Sequence, residues 1–162
     1  MALARAAARR IRSLVLGSAL LVISIAASVG VRPTPASAQT QPRLAERLLT
    51  MTNAARERHG LRPLRMRSTL ARYATRHTER MASQRTLFHS TSTQMADVLA
   101  GDGWSMWGEN IGMAPTLSRV QSSFLASPEH RANILRRAFD HAGIGVVRSR
   151  GLTWVTVDFY AS

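Results

Sequence analysis

Trp107-Gly108-Glu109-Asn110-Ile111 places a single carboxylate, Glu109, inside a run that is otherwise apolar and punctuated by glycine. One histidine lies 20 positions upstream, His89 in Leu87-Phe88-His89-Ser90, and another 21 positions downstream, His130 in Ser127-Pro128-Glu129-His130-Arg131. A fold that gathers the three makes a His/Glu/His cluster, a donor set that suits a divalent cation. Spacing alone does not separate that cluster from three unrelated polar residues in three separate elements.

The segments on either side of this stretch alternate between helical and extended patterns. From Arg43, with Pro42 at or just before the start, Leu44, Leu48, Met51 and Ala55 recur at three- and four-residue steps until His59-Gly60 closes the helix. Leu61-Arg62-Pro63-Leu64 is extended, because the residue before a proline is pushed out of the helical region. Ser68 is placed to cap a second helix carrying Leu70, Tyr73, Ala74, His77 and Met81 on one face and fading near Thr86. Thr93 to Ala100 is a short third helix, ended by Gly101-Asp102-Gly103. Trp104 to Met113 is extended. Pro115 opens a helix that buries Leu117, Val120, Phe124 and Leu125, and Ser127-Pro128 interrupts it and starts another turn with proline in its first position.

The chain ends in two strands, Gly143 to Val147 and Leu152 to Tyr160, joined by Arg148-Ser149-Arg150-Gly151. In the second strand Val155, Val157 and Phe159 share one face and Trp154, Thr156 and Asp158 the other. Large side chains on both faces require helices on both sides of the sheet, so the expected class is α+β, a three-layer α-β-α sandwich around a small antiparallel sheet.

Of the 162 residues none is cysteine. Arg5, Arg9, Arg10 and Arg12 precede an uncharged run from Ser13 to Val31, and Ala36-Ser37-Ala38 supplies the small-x-small pattern of a signal-peptidase site. The expected organisation is a signal peptide over 1–38, a short mobile lead-in over 39–42 and one domain over 43–162. The protein is then secreted or held in the cell envelope, and the alternative is an uncleaved N-terminal membrane anchor. Removing the leader takes away 5 of the 22 arginines and leaves 17 against 9 acids, a net charge of +8. That balance predicts attraction to anionic envelope surfaces. Arginines scattered along helical stretches, with little aromatic interleaving, argue against nucleic acid as a partner.

The motifs together resemble the CAP superfamily, also called SCP-like: cysteine-rich secretory proteins, antigen 5 and plant pathogenesis-related proteins. The likeness is to its cysteine-free bacterial extracellular branch. Five segments carry it in order: Asn53-x-x-Arg56 with Gly60-Leu61-x-Pro63-Leu64; Ala74-x-x-His77 with Met81 and Phe88-His89-Ser90; Gly108-Glu109-Asn110-Ile111; Ser127-Pro128-x-His130-Arg131-x-Asn133-Ile134-Leu135; and Gly143-x-Gly145-Val146 with Trp154-Val155-Thr156-x-Asp158-Phe159. The resemblance implies the α-β-α sandwich and a cleft with two histidines and two acids able to bind a divalent metal, zinc before others. It puts His89, Glu109 and His130 at three of those positions. Ser127 stands where the second acid is expected, and Glu129 is the remaining acidic candidate. The family's sterol and lipid binders make a lipid or sterol-like ligand the expected partner.

The other polar residues have plainer readings. His77, His59 and His141 are structural, and Arg131 pairs with Asp140. Trp104, Trp107 and Trp154 are core or cleft wall. Ser90 is not a nucleophile, since neighbours in sequence rarely form a nucleophile–base pair. The sequence therefore favours a binding protein with no assigned catalytic residue. The alternatives are a metal-dependent, peptidase-like hydrolase and a structural or partner-binding envelope protein with a vestigial cleft.

Overall fold

The computed structural model describes residues 35–162, with side chains from residue 41. The apolar run over 13–31 and the signal-peptide or anchor alternatives built on it lie outside the described residues. Pro33–Ser162 is a compact unit of its own. No helix among the described residues is long and apolar enough to cross a membrane.

The elements follow in order: α1 (Pro35–Glu57), β1 (Arg65–Met66), α2 (Ser68–Gln84), α3 (Ser92–Val98), β2 (Met106–Ala114), α4 (Leu117–Ala126), α5 (Pro128–Ile134), β3 (His141–Ser149) and β4 (Leu152–Ala161). The sheet order is β1-β3-β4-β2. The β2–β4 and β3–β4 pairs are antiparallel, while β1 runs parallel to β3, so the sheet is mixed rather than purely antiparallel. β1 is two residues long, too short for a hydrophobic period to announce it.

Two further boundaries differ from the sequence reading. α1 opens at Pro35 rather than Arg43 and carries Pro42 inside it, so residues 39–42 have helical backbone. Pro35 itself suits a first helical position. Arg67, not Ser68, is the N-cap of α2 and makes no side-chain cap bond. By contrast, Thr91 and Gln94 form a reciprocal capping box on α3, which fixes the chain immediately after His89-Ser90.

The two sheet faces bury different helices, and the fold is the α-β-α sandwich. On one face Ala142, Ile144, Val146, Val155, Val157 and Phe159 pack with Leu48, Leu117, Val120, Phe124, Ile134 and Phe139 from α1, α4, α5 and the loop after α5. On the other, Tyr160 packs with Leu70, Tyr73, Met95 and Leu99, and Trp154 with Met81, Ala82, Ile111 and Val147. Trp154 is core, and Trp104 and Trp107 lie half-buried against the Tyr160 cluster.

Arg56 fastens the first of these layers. It is 1% exposed, and every bond its guanidinium makes goes to a main-chain carbonyl: Nε donates to Arg62 O at 2.8 Å, Nη1 to Ile134 O at 2.8 Å and Arg136 O at 3.0 Å, and Nη2 to Phe139 O at 2.8 Å. It thus ties the end of α1 to the C-terminus of α5, where carbonyls lack helical partners and favour a cation. Arg56→Met keeps the bulk and strands those acceptors. It is expected to cost about 3 kcal/mol or more in urea unfolding, at about 1–3 kcal/mol per buried unpaired group. A loss below about 1 kcal/mol, the net worth of one ordinary hydrogen bond, would show that the clamp is dispensable.

Candidate functional site

Glu109 sits at 7% exposure on β2, directly across from Asp158 on β4. Its carboxylate receives three donors. His89 Nδ1 lies 2.6 Å from Oε1, the Ser90 main-chain N–H donates to Oε1 at 3.0 Å, and Ser90 Oγ donates to Oε2 at 2.6 Å. Tyr73 of α2 donates in turn to Ser90 Oγ at 2.9 Å. Ser90 is therefore a relay in a hydrogen-bond chain and holds no pairing with His89.

The geometry fixes the His89 tautomer. Nδ1 carries the proton that goes to Glu109, which leaves Nε2 on a side chain that is 61% exposed. His77, placed among structural residues by the sequence, is 1% exposed: Nε2–H donates to Phe88 O at 2.8 Å and Nδ1 accepts from Arg80 at 3.0 Å. Its Nε2 comes within 3.9 Å of Glu109 Oε2, but its proton is spent on the carbonyl, so the contact is not an ion pair. By holding Phe88, His77 positions His89 and Ser90.

His130 reaches the same neighbourhood from the other side of β2. Its carbonyl accepts from Asn110 Nδ2 at 2.9 Å, and its ring lies against Phe124 with 5.0 Å between centroids. Asn133 Nδ2 bonds Asn110 Oδ1 at 2.9 Å and Glu109 O at 3.2 Å, so α5 is stitched to β2 through two asparagines. Burial, reinforced by the nearby His89, lowers the His130 pKa. Glu129 is exposed in the first turn of α5.

The three-residue metal core expected from the sequence is not assembled: among the described residues no group of three or more His, Cys, Asp or Glu is arranged to hold a metal ion. Both Glu109 oxygens accept hydrogen bonds from the His89-Ser90 segment. Glu109 acts on His89 as a carboxylate orienting an imidazole, the role such groups play behind a ligand rather than as one. The Arg131–Asp140 pair is also absent. Arg131 Nη2 meets His59 Nε2 at 3.2 Å, and Asp140 accepts from His141 and Ser162.

Asp158 is the member of the site that reading for metal ligands passed over. It is fully buried, and neither oxygen receives a hydrogen bond. Burial first, then the adjoining Glu109 carboxylate, raises its pKa well above the ordinary value, which favours the neutral acid at this unpartnered position. An acid in the middle of a strand otherwise made of Thr, Val and aromatics was the available signal.

The chain matches the model of the cysteine-rich secretory protein (CAP) family over residues 49–159. The chain belongs to that family. It is 32% identical to the Bacillus subtilis protein YkwD over 114 residues, which is 67% of this chain and 44% of that relative, so the CAP chain spans less than half of YkwD. An extracellular SCP-domain protein from Bacillus anthracis superposes with a TM-score of 0.65 at 26% identity, covering 81% of this chain and 45% of that one. An outer surface protein from Borrelia burgdorferi gives 0.66 at 19% identity, over 74% of this chain and 92% of that one. NaASP2, solved with Zn²⁺, shares the fold at 12% identity and a TM-score of 0.53, over 72% of this chain and 78% of that one.

The buried acid gives the CAP domain a pH signature. The folded pKa of Asp158 lies above the unfolded value of about 3.9, so its contribution to stability is full below that pH and is lost as pH rises from there through the folded pKa. Asp158→Asn removes the titration and keeps the side chain's size. Melting followed by circular dichroism from about pH 4 upward is expected to show a flatter decline in the variant. Parallel curves would mean that Asp158 does not carry this proton.

Proposed function

We propose that this CAP domain is an extracytoplasmic binding protein of the cell envelope rather than a hydrolase. The observation that carries the reading is the saturation of Glu109: with three donors on its oxygens and Asp158 behind it, it has no oxygen to spare as a general base for water. The group presented outward is the His89 imidazole, oriented by Glu109 and flanked by His130.

Zinc, present in the NaASP2 structure, would find the His89 and His130 imidazoles here, and among the described residues no group of three His, Cys, Asp or Glu to hold it. Those residues do not make up a resident zinc site, and the proposed function does not depend on one. A lipid or sterol-like ligand suits a separate groove of about 420 Å³ between α1 and α2, floored by Ala45, Met66, Ala71 and Ile144 and edged by Arg72 and Arg76. Its size lies within the usual range for small-ligand sites. Export of the domain rests on the Arg5 to Ala38 leader pattern and on the secretory character of the family.

Residues 33–162 are expected to retain a lipid from an envelope extract, detected by mass spectrometry, and to lose at least about tenfold of it in Ala71→Trp, which puts a large side chain into the groove from a half-buried position on α2. The same preparation is expected to turn over no member of a peptide and ester panel. Turnover abolished by Glu109→Gln would reverse the ranking of binder over hydrolase, and lipid recovery no higher than from a control protein would remove the ligand assignment.

A further inference from the structure

The end of the sheet away from Glu109 carries an independent feature. β3 and β4 are joined there by a two-residue turn, Arg150-Gly151, between the paired Ser149 and Leu152, with φ of 50° and 77°. α2 ends nearby at Arg85, φ 55°, a position that glycine usually fills. Arg85 and Arg150 are the two non-glycine residues at positive φ among those described, and both line one cavity of about 150 Å³ with Met113, Leu152, Trp154 and Ala82. Arg148 and Arg150 also line an adjoining hollow beside Pro115 and Thr116.

Charge and apolar exposure coincide at this end. Arg85, Arg148 and Arg150 are exposed, and among the described residues the one arginine–carboxylate ion pair is Arg67–Asp102, elsewhere on the surface. Met113 at 45% and Leu87 at 39%, the latter two positions beyond Arg85, are two of the three exposed large apolar side chains among the described residues. Long apolar side chains rimmed by unpaired arginines match a lipid interface, where the chains enter the headgroup layer and the guanidiniums meet phosphates. Gly or Asn would adopt the positive φ of both positions more easily, so both arginines hold their places at a conformational cost.

We propose that this end of the domain, Arg85, Arg148 and Arg150 around Met113 and Leu87, docks on an anionic lipid surface. The inference rests on the extracytoplasmic placement proposed above and makes no use of the His89 cleft. Docking by this end sets the cleft at a defined height from the bilayer.

The test is co-sedimentation of residues 33–162 with unilamellar vesicles. Binding is expected to equal parts phosphatidylglycerol and phosphatidylcholine, not to phosphatidylcholine alone, and to weaken as salt rises. At about fivefold per arginine, replacing all three by Gln should reduce partitioning about a hundredfold. Leu87→Ser with Met113→Ser should also weaken it. Arg85→Gly and Arg150→Asn should each lower partitioning while leaving the melting temperature unchanged or raised, which a merely structural arginine would not do. Equal binding to the two vesicle types, or a triple variant that sediments like the wild type, would overturn the proposal. Complete competition by inorganic phosphate would also overturn it, in favour of a small-anion site. The His89–Glu109 hydrogen bond, followed by the imidazole ¹⁵N shifts, should stay unchanged throughout, so failure here leaves the cleft reading standing.

Discussion

Helix α2 lies so close to β3 that a side chain cannot stand between them. A Cβ on Gly143 would fall inside Leu70, and one on Gly145 inside the main chain at Ala74. This approach brings Thr78 Oγ1 to 2.8 Å from Thr156 Oγ1 across the helix–sheet boundary. It also decides where the next residues of α2 go. Tyr73 reaches Ser90 and His77 reaches Phe88, and through them the loop that bears His89 is held over Glu109. Overpacking at such a contact has no cheap remedy, because the obstructing atoms include backbone. The site's geometry therefore follows from two missing side chains in a strand that does not itself enter the site.

The opposite layer is fixed by a different device. Arg56 satisfies carbonyls from the loop after α1, from the end of α5 and from the turn before β3, with no carboxylate among its partners. Burial lowers its pKa, yet a guanidinium stays charged in proteins. With α5 anchored at one end by Arg56 and along its length by Asn110 and Asn133, His130 is delivered to the far side of β2 from His89. Glycine clamp and arginine clamp thus bring the two histidines to the outermost strand from opposite faces of the sheet. The outcome is an imidazole on either side of that strand.

Much of this was legible in the chain. The helical periods of Leu44 to Ala55 and Leu70 to Met81, the Ser127-Pro128 break and the two-faced final strand lead directly to a covered sheet, and the observed layers agree. His77 was readable as structural from its place on an apolar face. Motif order suggested that His89 and Glu109 come together in one cleft. What spacing could not supply was the occupancy of Glu109: Ser90 follows His89 in sequence, yet its role as a donor to Glu109 exists only once the loop is folded back. The Arg131–Asp140 expectation failed for a similar reason, since Asp140 already serves His141 and Ser162.

By itself the sequence determined most of the helices and the two final strands, because periodicity and capping act over a few neighbouring positions. It also determined the family, through five short motifs in fixed order. Tertiary structure alone decided that β1 joins the sheet in parallel, that the Asp158 and Glu109 carboxyls become cross-strand neighbours, and that among the described residues no three His, Cys, Asp or Glu side chains gather as a metal-holding group. Each of these depends on distances between segments tens of residues apart. Hydrogen bonds, burial and repulsion between charges are settled at a few ångströms, and only the folded chain sets those separations.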